Sequence, residues 1–208
     1  MTQELSTFEK LKESEHLMRK QLIMQAATNL LSSKQFHEIS IRDIAKEADI
    51  YLALIYKYFH NQDDLFLEIL VESVEGIISR IQEEHQLKPF TIRKLASRIV
   101  DDLLENETYF KLTCNFLNRG WNNTEVHNKF LRFKKYFRFS LWELIKTTGV
   151  KDDDQIYTRG FMATVVGIVL TIGNDTELSK EEQKKMMHTI VNHHINNNFK
   201  VFSKQNES

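Results

Sequence analysis

Residues 40–65 read SIRDIAKEADIYLALIYKYFHNQDDL, and the fold turns on how this stretch divides. Ser40 stands three residues before Asp43, the spacing of a helix start, and Ile41, Ile44, Ala45 and Ala48 behind it share one apolar face. That helix spans barely two turns. After Asp49 the anchors Ile55 and Phe59 sit four apart, which predicts another short helix over 51–59 with one face buried. The run His60-Asn61-Gln62-Asp63-Asp64 breaks and restarts the chain; Asn61 is suited to cap the next helix, and both aspartates favour its positive end.

Upstream, Ile23, Ala26, Ala27, Leu30 and Leu31 mark one face of a first helix ending near Ser32 and Ser33. Ser6 and Glu9 have capping-box spacing, so it can begin as early as Ser6. Downstream, Leu70, Val74, Ile77 and Ile81 carry a fourth helix to Pro89, the only proline and the natural division between two halves. Periodicity predicts five more helices, at roughly 91–105, 107–118, 123–147, 153–172 and 179–200. Gly120, Gly149 and Gly173 fall just past three of the ends, where a left-handed residue is wanted. Asp152 with Gln155, and Ser179 with Glu182, have capping-box spacing for the last two starts.

Composition agrees with an all-α chain. Six glycines and one proline in 208 residues leave little turn chemistry for hairpins or repeated βαβ units, while 41% hydrophobic content suffices for a packed core. A net charge of −1 gives no global field for nucleic acid or an anionic membrane, so any DNA contact must be local. Cys114 is the single cysteine, which excludes an internal disulfide and a cysteine-built zinc cluster. It reads as a small buried hydrophobe, with a redox-sensing thiol as the rarer alternative. The start of the chain lacks the pattern of a secretory signal, and the longest apolar stretch, 161–172, is short of the roughly 20 residues that span a bilayer. A cytoplasmic location without membrane association is expected.

Catalysis is not expected. The chain has no phosphate-cradling glycine loop, no nucleophile elbow and no histidine–carboxylate spacing suggesting a catalytic pair, and nothing implies a cofactor. His188, His193 and His194 do not make a metal site, because neighbouring positions point about 100° apart on a helix and no i, i+4 partner completes a set.

Three short helices followed by a long one, with a turn of about four residues between the second and third, is the arrangement of a helix-turn-helix DNA reader. With Ile55 and Phe59 inward, Leu52, Ala53, Tyr56, Lys57 and part of Tyr58 are left to reach DNA, and the small Ala53 permits close approach. Pattern alone leaves a second reading open, a helical lobe with no nucleic-acid role.

Residues 23–70 resemble the N-terminal domain of the tetracycline-repressor (TetR) family of bacterial regulators. The resemblance rests on Ala26-Ala27, on Ser40 before Ile41-Arg42-Asp43-Ile44-Ala45, and above all on Ile55-Tyr56-Lys57-Tyr58-Phe59 followed by Asn61-Gln62-Asp63-Asp64-Leu65. It implies that Tyr56 and Lys57 contact phosphates and that Leu52 and Ala53 sit at the tip of the recognition helix, which opens at Tyr51. It further implies that Ser40 and Arg42 meet the backbone from the second helix, and Gln62 from the fourth. Such proteins are homodimers on palindromic double-stranded DNA operators, with an inducer held in the C-terminal half.

The chain departs from the family pattern in the turn, where Asp49 and Tyr51 replace the usual glycine and capping Ser or Thr. Aspartate tolerates the left-handed conformation, but tyrosine cannot cap, which weakens the third helix by about 0.5–2 kcal/mol. Gln62 replaces the usual lysine, and Leu52 and Leu54 the usual polar residues. Residues 1–62 carry eight basic and eight acidic side chains. Few phosphate contacts and a shallow salt dependence follow, since each neutralised phosphate contributes about −0.9 to that slope. Apolar Leu52 suits thymine methyl groups, so a T-containing half-site is expected.

In the second half, Val126, Phe130, Phe133, Phe137, Leu141 and Leu144 form a stripe flanked by basic residues, the ordinary signature of a core helix. The resemblance makes it a pocket wall. Phe110, Phe116, Trp121, Phe133, Phe137 and Phe161 are then candidates to line an aromatic cavity, with Arg119, His127 or Asn115 as the orienting polar contact. Plain core packing is the competing reading for each aromatic. Gly160, Ala163 and Gly167 make one face of the 153–172 helix small enough for a close helix contact, within the chain or between chains. Because the family dimerises through its last two long helices, the resemblance favours an intersubunit role for these residues and for Met187, Ile190, Val191 and Ile195.

The expectation is an all-α protein divided into a helix-turn-helix domain (1–62), a connecting helix (63–88) and a ligand-binding and dimerisation domain (89–208). Its function would be that of a repressor released from DNA by an apolar or aromatic small molecule. The competing expectation is a TetR-like ligand-binding or protein-interaction module that does not read DNA specifically.

Overall fold

A computed structural model describes residues 6–118, 123–151, 153–173 and 175–198, in which every regular element is helical. The chain forms two compact units that divide between Ile69 and Leu70.

In the first unit, α1 (Thr7–Ser33) starts in a full capping box. The Ser6 hydroxyl accepts from the Glu9 N–H, and the Glu9 carboxylate accepts from the Ser6 N–H. Only its second half packs: Ile23, Ala26, Ala27 and Leu31 are buried, whereas residues 7–19 are exposed. A 3₁₀ turn (Phe36–Glu38) leads to α2 (Ile41–Glu47), capped by Ser40 through the anticipated box with Asp43. Asp49 adopts φ 52°, the left-handed turn residue that replaces the usual glycine. The next helix, α3, is shorter than the Ile55/Phe59 spacing predicts. Regular α-helix covers only Leu52–Ile55, and residues 56–58 continue as turns with i→i+3 bonds from Lys57 to Leu54 and from Tyr58 to Ile55. Tyr51 stands at its N-cap and makes no side-chain cap; the first turn is closed by the Leu54 N–H donating to the Tyr51 carbonyl at 2.8 Å and held by burial of Ile55 and Phe59.

Asn61 caps α4 (Gln62–Leu87) by accepting from the Asp64 N–H at 2.9 Å. The core of the first unit gathers Ile23, Ala27, Leu31, Ile44, Ile55, Leu65 and Phe66, all wholly buried.

The second unit contains the rest of α4 followed by α5 (Ile92–Glu105), α6 (Glu107–Asn118), α7 (Thr124–Thr147), α8 (Ile156–Thr171) and α9 (Lys180–Asn198). Helix α5 packs on α9 and α6, and α8 on α7, α9 and α6. Thr91, Asn123 and Ser179 cap α5, α7 and α9, the last with the predicted Glu182 box. Gly149 closes α7 at φ 84°. The start of α8 corrects the sequence expectation: Gln155 lies in the left-handed region at φ 55° and makes no side-chain cap, so the helix begins at Ile156 and not near residue 153. Asp152 and Gly120 lie outside the described residues.

Candidate nucleic-acid interface and ligand cavity

On the first unit the turn between α2 and α3 lifts one set of side chains clear of the core. Tyr51 is 89% exposed and Tyr56 54%, and Arg42, Ala53 and Lys57 are exposed beside them. Leu52 is half-buried, and Tyr58 is held by its ring against that of His16 on α1, centroids 4.6 Å apart. The sequence placed these residues on one exposed side because Ile55 and Phe59 take the other, and both are buried.

Two members of the expected DNA-contacting set are occupied inside the unit. The Ser40 hydroxyl is engaged by Asp43, at 2.6 Å from the carboxylate and 3.2 Å from the backbone N–H. Hydrogen bonds from the Ser40 side chain and backbone hold the Asp43 carboxyl below its usual range. The Gln62 amide donates to the carbonyls of Ile39, at 2.6 Å, and Phe36, at 3.4 Å. Gln62 therefore ties α4 to the 3₁₀ turn, a tertiary role that its position after Asn61 did not disclose.

The second unit contains a partly open apolar pocket, about 700 Å³ of space counted together with its mouth to solvent. Phe133, Phe137 and Phe161 line it, with Ile99, Leu103, Met162 and Val165. Polar groups are few: exposed Lys134, and Thr113, whose buried hydroxyl makes no hydrogen bond. A second, smaller cavity, also partly open, adjoins the first and shares Ile99, Leu103, Phe137, Leu141 and Val165 with it.

Phe116 and His127 do not line either cavity. Phe116 is fully buried and stacks on Phe130 at 5.8 Å, which makes it core. The side chains of Phe110 and Cys114, and all of Arg119 and Trp121, lie outside the described residues. The sequence missed Lys134, which adjoins Phe133 in the α7 stripe, and the i, i+4 pair Ile99 and Leu103 on α5.

Three residues expected at an intersubunit surface belong to the core of this chain: Met187, Val191 and Ile195 are at most 2% exposed. The exposed side of α9 carries Met186 and Ile190, one position before each of the first two. Gly160 faces His194 of α9, whose ring would lie 3.5 Å from an added Cβ, so this small residue serves a contact within the chain. Ala163 is exposed, and an added Cβ at Gly167 would meet nothing within 4 Å. His194 meets the Thr164 hydroxyl at 3.0 Å, and burial pushes its pKa down. His188 meets Asp101 at 3.0 Å. Among the described residues, no group of three or more His, Cys, Asp or Glu side chains could hold a metal ion, and no helix is long and apolar enough to cross a membrane.

Comparison with known proteins sets this geometry in context. Residues 23–69 match the model of bacterial regulatory proteins, tetR family. The fatty acid metabolism regulator protein of Bacillus subtilis (strain 168) is 30% identical over 74 residues, covering 36% of this chain and 38% of that protein. The HTH-type transcriptional regulator HbdR of Aromatoleum sp. (strain CIB) is 33% identical over 66 residues, or 32% of this chain and 27% of that protein. The chain thus aligns with well under half the length of either curated relative. Its fold extends further: the crystal structure of the transcriptional regulator FadR from Bacillus subtilis in complex with stearoyl-CoA superposes with a TM-score of 0.66 at 21% identity, over 84% of this chain and 97% of that one.

Proposed function

Because the chain belongs, through residues 23–69, to the tetR family of bacterial regulatory proteins, we propose that it is a ligand-responsive transcriptional regulator and not an enzyme. It acts in the cytoplasm as a homodimeric repressor on a palindromic operator. The observation that carries this reading is the exposed group Arg42, Tyr51, Ala53, Tyr56 and Lys57 around a short helix whose inner face is buried. Arg42, Tyr56 and Lys57 address phosphates, while Leu52 and Ala53 approach base edges in the major groove. Ser40 and Gln62 hold the frame from inside: the Ser40 hydroxyl and backbone N–H are both engaged by Asp43, and for Gln62 the backbone N–H, not the side chain, is the candidate for phosphate contact. We assign the reading head to residues 1–62, the connecting helix to 63–88 and the effector and dimer functions to 89–208. Ala163, Gly167 and Ile190 contribute to the dimer surface.

The effector we propose is a long-chain acyl compound. Support comes from the apolar walls of the larger cavity and from Lys134, the one cation among its described lining residues. A structural neighbour of the same fold binds stearoyl-CoA. The chain would fill the apolar space and Lys134 would meet the anionic head. Release requires that the effector bind one dimer geometry better than the other, since equal affinity shifts nothing.

The test is selection of genomic DNA fragments by the purified protein at physiological salt, followed by operator binding with and without stearoyl-CoA. A palindrome with half-sites one or more helical turns apart, released by the acyl compound, is the expected result. Tyr56→Ala with Lys57→Ala should weaken operator binding while dimer mass and helicity stay unchanged. Recovery of sequence-independent binding alone would overturn the reading in favour of a ligand-binding or protein-interaction module.

A further inference from the structure

The walls of the smaller cavity contain one residue that apolar packing does not explain. Asp102 is 4% exposed and lines that cavity beside aliphatic and aromatic neighbours such as Val74, Ile78, Ile81 and Leu144. A carboxylate is costly to bury unless it is paired. Two guanidinium groups reach it: an Arg80 terminal nitrogen lies 3.3 Å and an Arg98 terminal nitrogen 3.2 Å from Oδ1. Both contacts fall on the same oxygen. The other oxygen, Oδ2, is buried and accepts no hydrogen bond. An ionised carboxylate offers about four acceptor sites, and buried acceptors in folded proteins are normally filled.

We infer that Asp102 is a ligand-recognition residue, its Oδ2 accepting a hydrogen bond from a neutral hydroxyl group on an elongated apolar ligand that extends from the larger cavity into the smaller. A hydroxyl fits better than an ammonium group, because two guanidinium groups already meet the charge of Asp102. The inference rests on the proposal that the cavity holds the effector, and it specifies that effector further: a hydroxylated long-chain acid or acyl derivative is preferred to a plain one. Lys134 and Thr113 are left to address its other polar groups in the larger cavity. The two arginine contacts also orient the carboxylate, so the free acceptor is fixed before the ligand arrives, which favours discrimination. Burial pushes the Asp102 carboxyl above its usual range, against the pull of Arg98 and Arg80.

The experiment is calorimetric titration of the full-length protein with hexadecanoic, 12-hydroxyhexadecanoic and 16-hydroxyhexadecanoic acids. At least one hydroxylated acid should bind about tenfold tighter than the plain acid, the scale of a hydrogen bond to a charged acceptor. In Asp102→Leu, similar in shape but without an acceptor, that preference should vanish or reverse. If this variant loses helicity, Asp102→Asn takes its place and should show a weaker preference, because a neutral acceptor makes the weaker bond. Equal affinity of the wild-type protein for all three acids overturns the inference and leaves the acyl cavity standing. A preference undiminished in both variants also overturns it, by assigning the hydroxyl to another residue. Failure of all three acids to bind overturns the cavity reading and the inference together.

Discussion

Tyr51 permits a test that separates the stability of the recognition helix from its contacts. It occupies the N-cap of α3 with φ −70° and ψ 138°, the extended backbone a cap requires, yet its side chain makes no capping bond. Because the ring is 89% exposed, removing it costs almost no packing. Tyr51→Ala should therefore fall within about 0.5 kcal/mol of the wild type. Tyr51→Ser places a hydroxyl where the N–H of Ala53 can donate to it, a gain of about 1 kcal/mol and within 0.5–2. For a chain of this size, 1 kcal/mol moves the midpoint of thermal unfolding by about 2–4 °C. Circular dichroism melts of the three proteins measure the difference, and operator titration of the same samples measures the contact. If Tyr51 touches DNA, both variants should lose affinity equally, although Ser is the more stable. Equal melting of the Ser and Ala variants would refute the argument that the helix start lacks only a hydroxyl.

Gln62→Ala removes the donor to the carbonyls of Ile39 and Phe36, and should lower stability by about 1 kcal/mol with the salt dependence of operator binding unchanged, as read by melts and salt titrations. Burial pushes the pKa of His194 below its ordinary value of 6.5, so below pH 6.5 the unfolded chain binds the proton more readily than the folded one. Stability should therefore fall as the pH drops from 6.5 through the lowered folded value, and His194→Gln should flatten that part of the profile when unfolding is followed against pH.

Helix starts were legible because a cap is a local object. Ser6 with Glu9, Ser40 with Asp43, and Ser179 with Glu182 lie three residues apart, and the bonds between them are those the spacing anticipates. Features that depend on distant parts of the chain were not legible. Gln62 meets carbonyls 23 and 26 residues away, and no pattern near residue 62 announces them. Gln155 adopts a left-handed conformation, whereas its spacing from Asp152 suggested an ordinary start. The stripe of Met187, Val191 and Ile195 correctly signalled burial, but four-residue spacing says nothing about whether the covering surface belongs to the same chain or to a second copy. The structure finds it in the same chain.

The same distinction explains why the reading head was more legible than the cavity. A helix of four residues has little stability of its own, since nucleating the first turn is unfavourable and most helical stability in proteins comes from packing. Its position therefore depends on Ile55 and Phe59, and a face carrying two apolar anchors four residues apart leaves the opposite face exposed by geometry. Exposure at Tyr51, Tyr56 and Lys57 was in that sense implied by burial at 55 and 59. No such complement exists in the cavity. Phe116 and Phe133 both lie on amphipathic helices among apolar neighbours, yet one fills the core and the other faces open volume, because a void forms where facing side chains stop short of one another. Asp102 shows the limit most clearly. In Asp101-Asp102-Leu103-Leu104-Glu105 the sequence offers two adjacent carboxylates, and the spacing to Arg98 on the same helix does not disclose that Arg80 crosses from α4 to meet the second, which is buried.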